Sequence, residues 1–374
     1  MKSIIIGTAY PWRGGIAQSN EAFFRALRKK GPSRILSFSF LYPSFFFPNK
    51  SFIDQGKKPR GIKAERVISS ISPFTWWKAA SIVKKEEPDI VIVRYWVPFL
   101  APCYGTIARL IKSNKRIKII CIVDHAMSNE KRVFDAIFAK YVFGACDSFL
   151  VFSNAVREDL NKLVRNKRII VSPLPLFSNF GKKVPKNQAL KKLGLDTKQR
   201  HILFFGFIRK YKGLELLIDA MADSRIKKLN IKLLVVGEFF DPKEEYIEQV
   251  ERLGISKNIV FRSEYVPGDE VKYYFCASDL IVQPYKDASQ SAVTPVAYHF
   301  ERPMLVTDVG GLSETVPNGV VGYVTKPNTR AIADCILEFY SKRLEKKFIK
   351  GIKSEKKKYS WDIMVKKIVE LAKA

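Results

Sequence analysis

Short runs of aliphatic and β-branched residues recur along this chain, each followed by a stretch with its apolar residues at helical spacing. That alternation constrains the fold more than any other feature, because it belongs to parallel sheets wrapped by helices, the α/β class. In the first half it predicts strands over 3–7, 35–38, 90–94, 118–123 and 148–152, with helices such as 17–30 and 106–113 between them. The pattern breaks at Ser172-Pro173-Leu174-Pro175 and resumes as strands over 201–205, 232–236, 259–262, 279–283 and 304–307. Helices are expected over 213–222 and 269–277, and a long basic helix at the end of the chain. A length of 374 residues exceeds one compact core. The expected division is a first domain over 1–175, a second over 176–355 and a closing helix over 356–374. No short-period repeat is present, which argues against a solenoid.

Lysine and arginine outnumber the acidic residues by enough to give a formal charge of +29. Nucleic acid, phospholipid headgroups and a phosphorylated small molecule all answer such a charge, as does a merely solvated lysine-rich surface. No helix-turn-helix, zinc or RNA-stacking motif appears, and the cations do not collect on one element, so no nucleic-acid partner is expected. The apolar stretch after Met1 is too short for a signal-peptide core, and no apolar run reaches the roughly eighteen residues of a membrane span. Cys103, Cys121, Cys146, Cys276 and Cys335 lie far apart without metal-ligand spacing, which suits free thiols in a reducing cytoplasm.

Five segments can carry chemistry. Gly14, Gly15 and Ile16 form a strand-to-helix turn where backbone amides can approach a ligand, or simply a tight turn. Gly206, Arg209, Lys212 and Gly213 follow a strand and open a helix, where α/β proteins hold phosphates; the two cations suit a diphosphate leaving group. Gln290, Ser291, Ala292 and Val293 precede another helix and offer free amides to a phosphate, although Ser289 or Ser291 serves equally as an ordinary cap. Glu314 follows the Gly310-Gly311 turn, near a ribose or near a helix dipole. Asp124, His125 and Glu130 leave a strand into a polar loop, whereas His201 and His299 read as structural.

Taken together these segments resemble the retaining glycosyltransferases of family four, over essentially the whole chain. The run from Phe205 to Leu217 looks like the family's phosphate loop. Leu234-Val235-Val236-Gly237, Ala277-Ser278-Asp279 and Val309-Gly310-Gly311-Leu312-Ser313-Glu314 follow in the family's order. Gly14-Gly15-Ile16-Ala17 resembles its acceptor-side loop, and Ser360-Trp361-Asp362 the start of its last helix, which returns to the first domain. The resemblance implies the GT-B architecture, two Rossmann-like domains with parallel sheets facing a cleft, the acceptor held by the first and the nucleotide sugar by the second. Two positions depart from it. The family's loop arginine falls at Phe207, with Arg209 the nearest substitute, and its paired glutamates fall at Ala288 and Val296.

The resemblance further implies a retaining transfer from a nucleotide-diphosphate sugar, with no metal and no other cofactor. Arg209, Lys212 and the amides after Gln290 would stabilise the departing diphosphate, and His125 and Glu130 would hold the donor sugar or the acceptor hydroxyl. Aromatic clusters beside cations at 38–48 and 73–78 suit a headgroup layer, or core packing. With the charge, they lead to the expectation of a saccharide or lipid-linked acceptor at the inner face of an anionic membrane, in the synthesis of a bacterial surface polysaccharide such as lipopolysaccharide or capsule. A nucleotide-sugar-binding subunit without turnover is the alternative raised by Ala288 and Val296; a basic nucleic-acid-binding protein is a second.

Overall fold

The computed structural model describes residues 1–43, 53, 59–126, 135–177 and 180–373. It divides into two compact units, Met1–Pro175 with Ser360–Ala374 (unit 1) and Leu176–Tyr359 (unit 2).

Unit 1 holds strands β1 (Ser3–Ile6), β2 (Ser33–Phe40), β3 (Ala64–Ser69), β4 (Ile90–Tyr95), β5 (Lys118–Val123), β6 (Ser148–Val151) and β7 (Arg168–Val171). They form one parallel sheet in the order β3-β2-β1-β4-β5-β6-β7. Its helices are α1 (Gly15–Arg28), α2 (Pro73–Glu86), α3 (Ala101–Ile111), α4 (Asp135–Phe143), α5 (Asn154–Asn161) and, after unit 2, α14 (Trp361–Lys373). Helix α3 packs between α2 and α4, while α1 packs with α14, which crosses β5, β6 and β7. With helices on both faces, the central strands β1 and β4 are buried at every position and read as apolar runs instead of alternating patterns.

Unit 2 repeats the design with β8 (Arg200–Phe205), β9 (Ile231–Val236), β10 (Ile259–Arg262), β11 (Leu280–Gln283), β12 (Met304–Thr307) and β13 (Gly322–Thr325). The order is β10-β9-β8-β11-β12-β13, again parallel. Around it lie α6 (Lys186–Leu193), α7 (Leu214–Met221), α8 (Ser224–Lys227), α9 (Glu244–Arg252), α10 (Val271–Ala277), α11 (Val293–His299), α12 (Thr329–Ser341) and α13 (Glu345–Glu355). In both sheets the winding direction reverses beside the first strand, between β1 and β4 and between β8 and β11. Open α/β sheets take their ligands at the carboxyl ends of the strands flanking such a reversal.

Within 356–374, where one closing helix is expected, the chain makes a 3-10 turn over Lys356–Lys358 and then α14, while the preceding helix α13 ends at Glu355. Tyr359 is buried in unit 2, its ring 4.7 Å from that of Tyr298 and its hydroxyl donating to the Thr315 carbonyl at 3.1 Å. Ser360 then accepts the Ile363 amide at 3.2 Å and caps the next helix. Chain entry and exit are joined, because the Leu176 amide donates to the Tyr359 carbonyl at 3.0 Å. No helix among the described residues is long and apolar enough to cross a membrane.

Candidate functional site

In unit 2 the loop leaving β8 is clamped from both sides. Toward β9, Ile208 donates its amide to the Glu238 carbonyl at 2.9 Å, and the Lys210 amide reaches the Asp241 carboxylate at 2.6 Å. Toward β11, the Lys286 amide donates to the Tyr211 carbonyl at 2.7 Å. Gly213 closes the clamp with φ at +65°, and a Cβ there would stand 2.1 Å from the Pro284 carbonyl oxygen, so only glycine fits. The loop is therefore fixed at the reversal point, where sequence alone placed a phosphate.

Within this loop Lys212 is buried. Its ammonium curls back over the end of β8, 3.2 Å from where a Cβ on Gly206 would be and 5.4 Å from the Tyr285 ring centre. No carboxylate among the described residues pairs with it. Burial, and then the Arg209 charge, lower its pKa to about 7. Arg209 lays its guanidinium 4.5 Å from the centre of the Phe240 ring, and the exposed Phe207 meets that ring edge-on at 4.9 Å. A buried lysine without a counter-ion, beside a second cation, makes a receptor for an anionic group.

Two further loops stand at the same sheet edge. After β11, Ser291 takes the Val293 amide on its hydroxyl at 3.1 Å, so that amide is used within the turn, while α11 has Ala292 at its N-cap and no side-chain cap. After β12, Gly310 with φ at +49° abuts the Ala288 carbonyl, which accepts the Gly311 amide at 3.2 Å. Ala288 and Val296 are buried. Gln290 sits in the loop before α11, and exposed Glu314 in the three-residue 3-10 turn Ser313–Thr315. That turn is too short to carry a helix dipole, which removes one of the two readings of Glu314.

In unit 1, Gly14 adopts φ of +111° and α1 begins at Gly15, with Ile16 in its first turn. The turn is anchored by the Trp12 indole donating to the Phe38 carbonyl at 2.7 Å and by the Tyr10 amide donating to Glu21 at 2.7 Å. Beneath it lies Arg94, which sequence reasoning missed. It is 2% exposed, forms two 2.7 Å bonds to the Asp124 carboxylate, and donates to Ser19 at 2.7 Å and Asn20 at 3.3 Å. Asp124 is therefore consumed in a buried pair instead of waiting at a cleft edge, and the pair fixes the strand end from which His125 projects. The signal was an arginine inside the apolar run Ile90-Val91-Ile92-Val93-Arg94, since a charge in a buried strand requires a partner. Glu130 lies outside the described residues. His201 is buried, and His299 bonds the Gly181 carbonyl at 2.7 Å. Of the aromatic clusters, Phe38 is buried and the Trp76 indole donates to the Ser69 carbonyl at 2.6 Å, whereas Phe74 and Trp77 are exposed; positions 44–48 lie outside the described residues.

With this geometry in place, residues 185–355 match the family model "Glycosyl transferases group 1". The chain carries a group 1 glycosyltransferase domain. Over 97% of its length the chain is 24% identical to an uncharacterized glycosyltransferase of Methanocaldococcus jannaschii, covering 95% of that protein. A lipopolysaccharide core biosynthesis mannosyltransferase of Rhizobium meliloti is 29% identical over 36% of this chain and 38% of its own. Among solved structures, Anabaena HepE in complex with UDP-glucose superposes with a TM-score of 0.77 over 98% of both chains at 16% identity, a likeness of fold. The two parallel-sheet Rossmann-like units of this glycosyltransferase are the GT-B architecture.

Proposed function

We propose that this glycosyltransferase moves a hexosyl group, with retention, from a nucleotide-diphosphate sugar to a saccharide or lipid-linked acceptor in surface polysaccharide synthesis. The observation that carries the donor assignment is buried Lys212, with no carboxylate partner among the described residues, beside Arg209 at the reversal point of the second sheet. UDP-glucose in the HepE structure and the lipopolysaccharide role of the Rhizobium relative support the donor class and the acceptor class.

In this reading the bond between the anomeric carbon and the β-phosphate oxygen breaks, and the diphosphate leaves with the electron pair. The acceptor oxygen bonds to the same face of the sugar and its proton passes to the leaving phosphate. Lys212 and Arg209 meet the charge that grows on the diphosphate, together with the amides of Ser291 and Ala292 and the Gly206 backbone. Gln290 and Glu314 contact the nucleoside or sugar, His125 and Glu130 hold the donor sugar or the acceptor hydroxyl, and the Gly14-Gly15-Ile16 turn serves the acceptor side. Neither a metal nor a further cofactor takes part, and no nucleic acid is bound. The protein works in the cytoplasm, at the inner face of an anionic membrane.

Calorimetric titration with UDP, GDP, ADP and TDP tests the donor site. Saturable binding of one nucleotide, lost in the Arg209→Ala, Lys212→Ala double variant, is expected; no binding of any near millimolar concentration overturns the reading. A second reading, nucleotide-sugar binding without turnover, rests on buried Ala288 and Val296 where carboxylates are expected. Donor binding without release of nucleotide diphosphate, over a panel of acceptors, would favour it.

A further inference from the structure

Of the ten large apolar side chains exposed among the described residues, eight belong to unit 1. The largest exposures fall at the starts of two helices: Phe74 (89%) and Trp77 (67%) on α2, with Ile71 just before it, and Ile137 (61%) and Phe138 on α4. In a parallel sheet every helix that follows a strand begins at that strand's carboxyl end. Since α2 follows β3 and α4 follows β5, both starts lie at one edge of the sheet. Helix α3 packs against both, so the three lie side by side on one face, and two helix-to-helix spacings separate the patches by about 20 Å.

Cations stand behind each apolar patch. At 100° per residue, Phe74, Trp77, Lys78 and Lys85 fall within an arc of about 100° on α2, with Ala79, Ala80 and Val83 buried on the opposite side. The rings occupy the first turn and the exposed ammonium groups follow toward the body of the helix. On α4, Lys140 is exposed, and Arg109 from α3 lies 3.8 Å from the centre of the Tyr141 ring. We infer that this rim of unit 1, from Phe74 and Trp77 to Ile137 and Phe138, docks on an anionic lipid bilayer. The rings and aliphatic chains enter the headgroup boundary while the cations meet lipid phosphates. Two separated protrusions at helix ends suit a plane. A second copy of this chain would set +29 against +29 and bring lysines against lysines. The inference deepens the proposal of a membrane-presented acceptor and rests on it.

Vesicle flotation of the full chain tests it, with phosphatidylcholine vesicles against vesicles containing about a third phosphatidylglycerol. Preferential binding to the anionic vesicles is expected, with about a tenfold loss in Phe74→Ser, Trp77→Ser and a similar loss in Ile137→Ser, Phe138→Ser. Because these residues are exposed, both variants should keep the wild-type near-ultraviolet circular dichroism. Trp77→Phe should float normally yet lose fluorescence quenching by brominated lipid. Flotation of a four-site Ser variant equal to wild type overturns the inference, as does a change confined to self-association in sedimentation velocity, which would make the rim an interface between copies. Nucleotide titration of the same variants separates the two readings: binding to vesicles with no affinity for any nucleotide diphosphate overturns the donor assignment and leaves the docking rim standing.

Discussion

Lys212 is where a single side chain sets the behaviour of the donor loop. Its pKa near 7 must rise when a diphosphate binds, because the anion favours the charged ammonium. Nucleotide diphosphate affinity should therefore be highest below pH 7 and fall by up to about tenfold per unit above it, the equivalent of about 1.4 kcal/mol. Calorimetry between about pH 6 and 9 would show this slope, and Lys212→Met should flatten it at a lower affinity. The same shift acts on folding with the opposite sense. Between pH 7 and the ordinary lysine value the unfolded chain keeps a proton that the folded chain releases, so this group's contribution improves as pH rises. Lys212→Met should accordingly raise Tm at pH 6. Arg94 is the reverse case, a buried charge fully met. Arg94→Met alone strands Asp124 and should cost about 3–5 kcal/mol in urea unfolding, while Arg94→Met with Asp124→Leu should recover most of that loss.

For the elements, the clamp on the β8–α7 loop makes Gly213 indispensable. Gly213→Ala meets both a positive φ and the Pro284 carbonyl, and should cost about 1–3 kcal/mol by thermal melt while weakening nucleotide binding, although no side chain there contacts the ligand. The glycine and cations after an apolar strand were legible because that order has a direct physical meaning. The burial of Lys212 was not, since it depends on the ends of β8 and β11 meeting in space. The strands divide the same way. Central strands such as β4, β5 and β9 declare themselves by apolar runs covered on both faces. The three that sequence did not predict, β3, β7 and β13, are all sheet edges. There one side lacks a neighbour, and residues such as Glu65, Arg66 and Arg168 remain exposed, so the apolar signal fades.

In the whole molecule, unit 1 is discontinuous and unit 2 is one uninterrupted stretch. Helix α14 buries Met364, Val365, Ile368 and Leu371, and its Trp361 ring stacks at 6.2 Å on Phe23 of α1. Removing 360–374 should destabilise unit 1 by several kcal/mol, the scale of two or three lost core side chains, and so lower its melting transition, while leaving nucleotide binding by unit 2 near wild type. Differential scanning calorimetry with and without nucleotide would assign the two transitions.

The hydrogen bond between Leu176 and Tyr359 marks the two points where the chain enters and leaves unit 2. During synthesis the ribosome completes unit 2 before residues 361–373 emerge. Over that interval β5, β6 and β7 stand without the helix that covers them. The nascent chain thus presents an open apolar sheet face for the whole time that its second unit is being made, a natural target for chaperones that bind exposed apolar surface during translation.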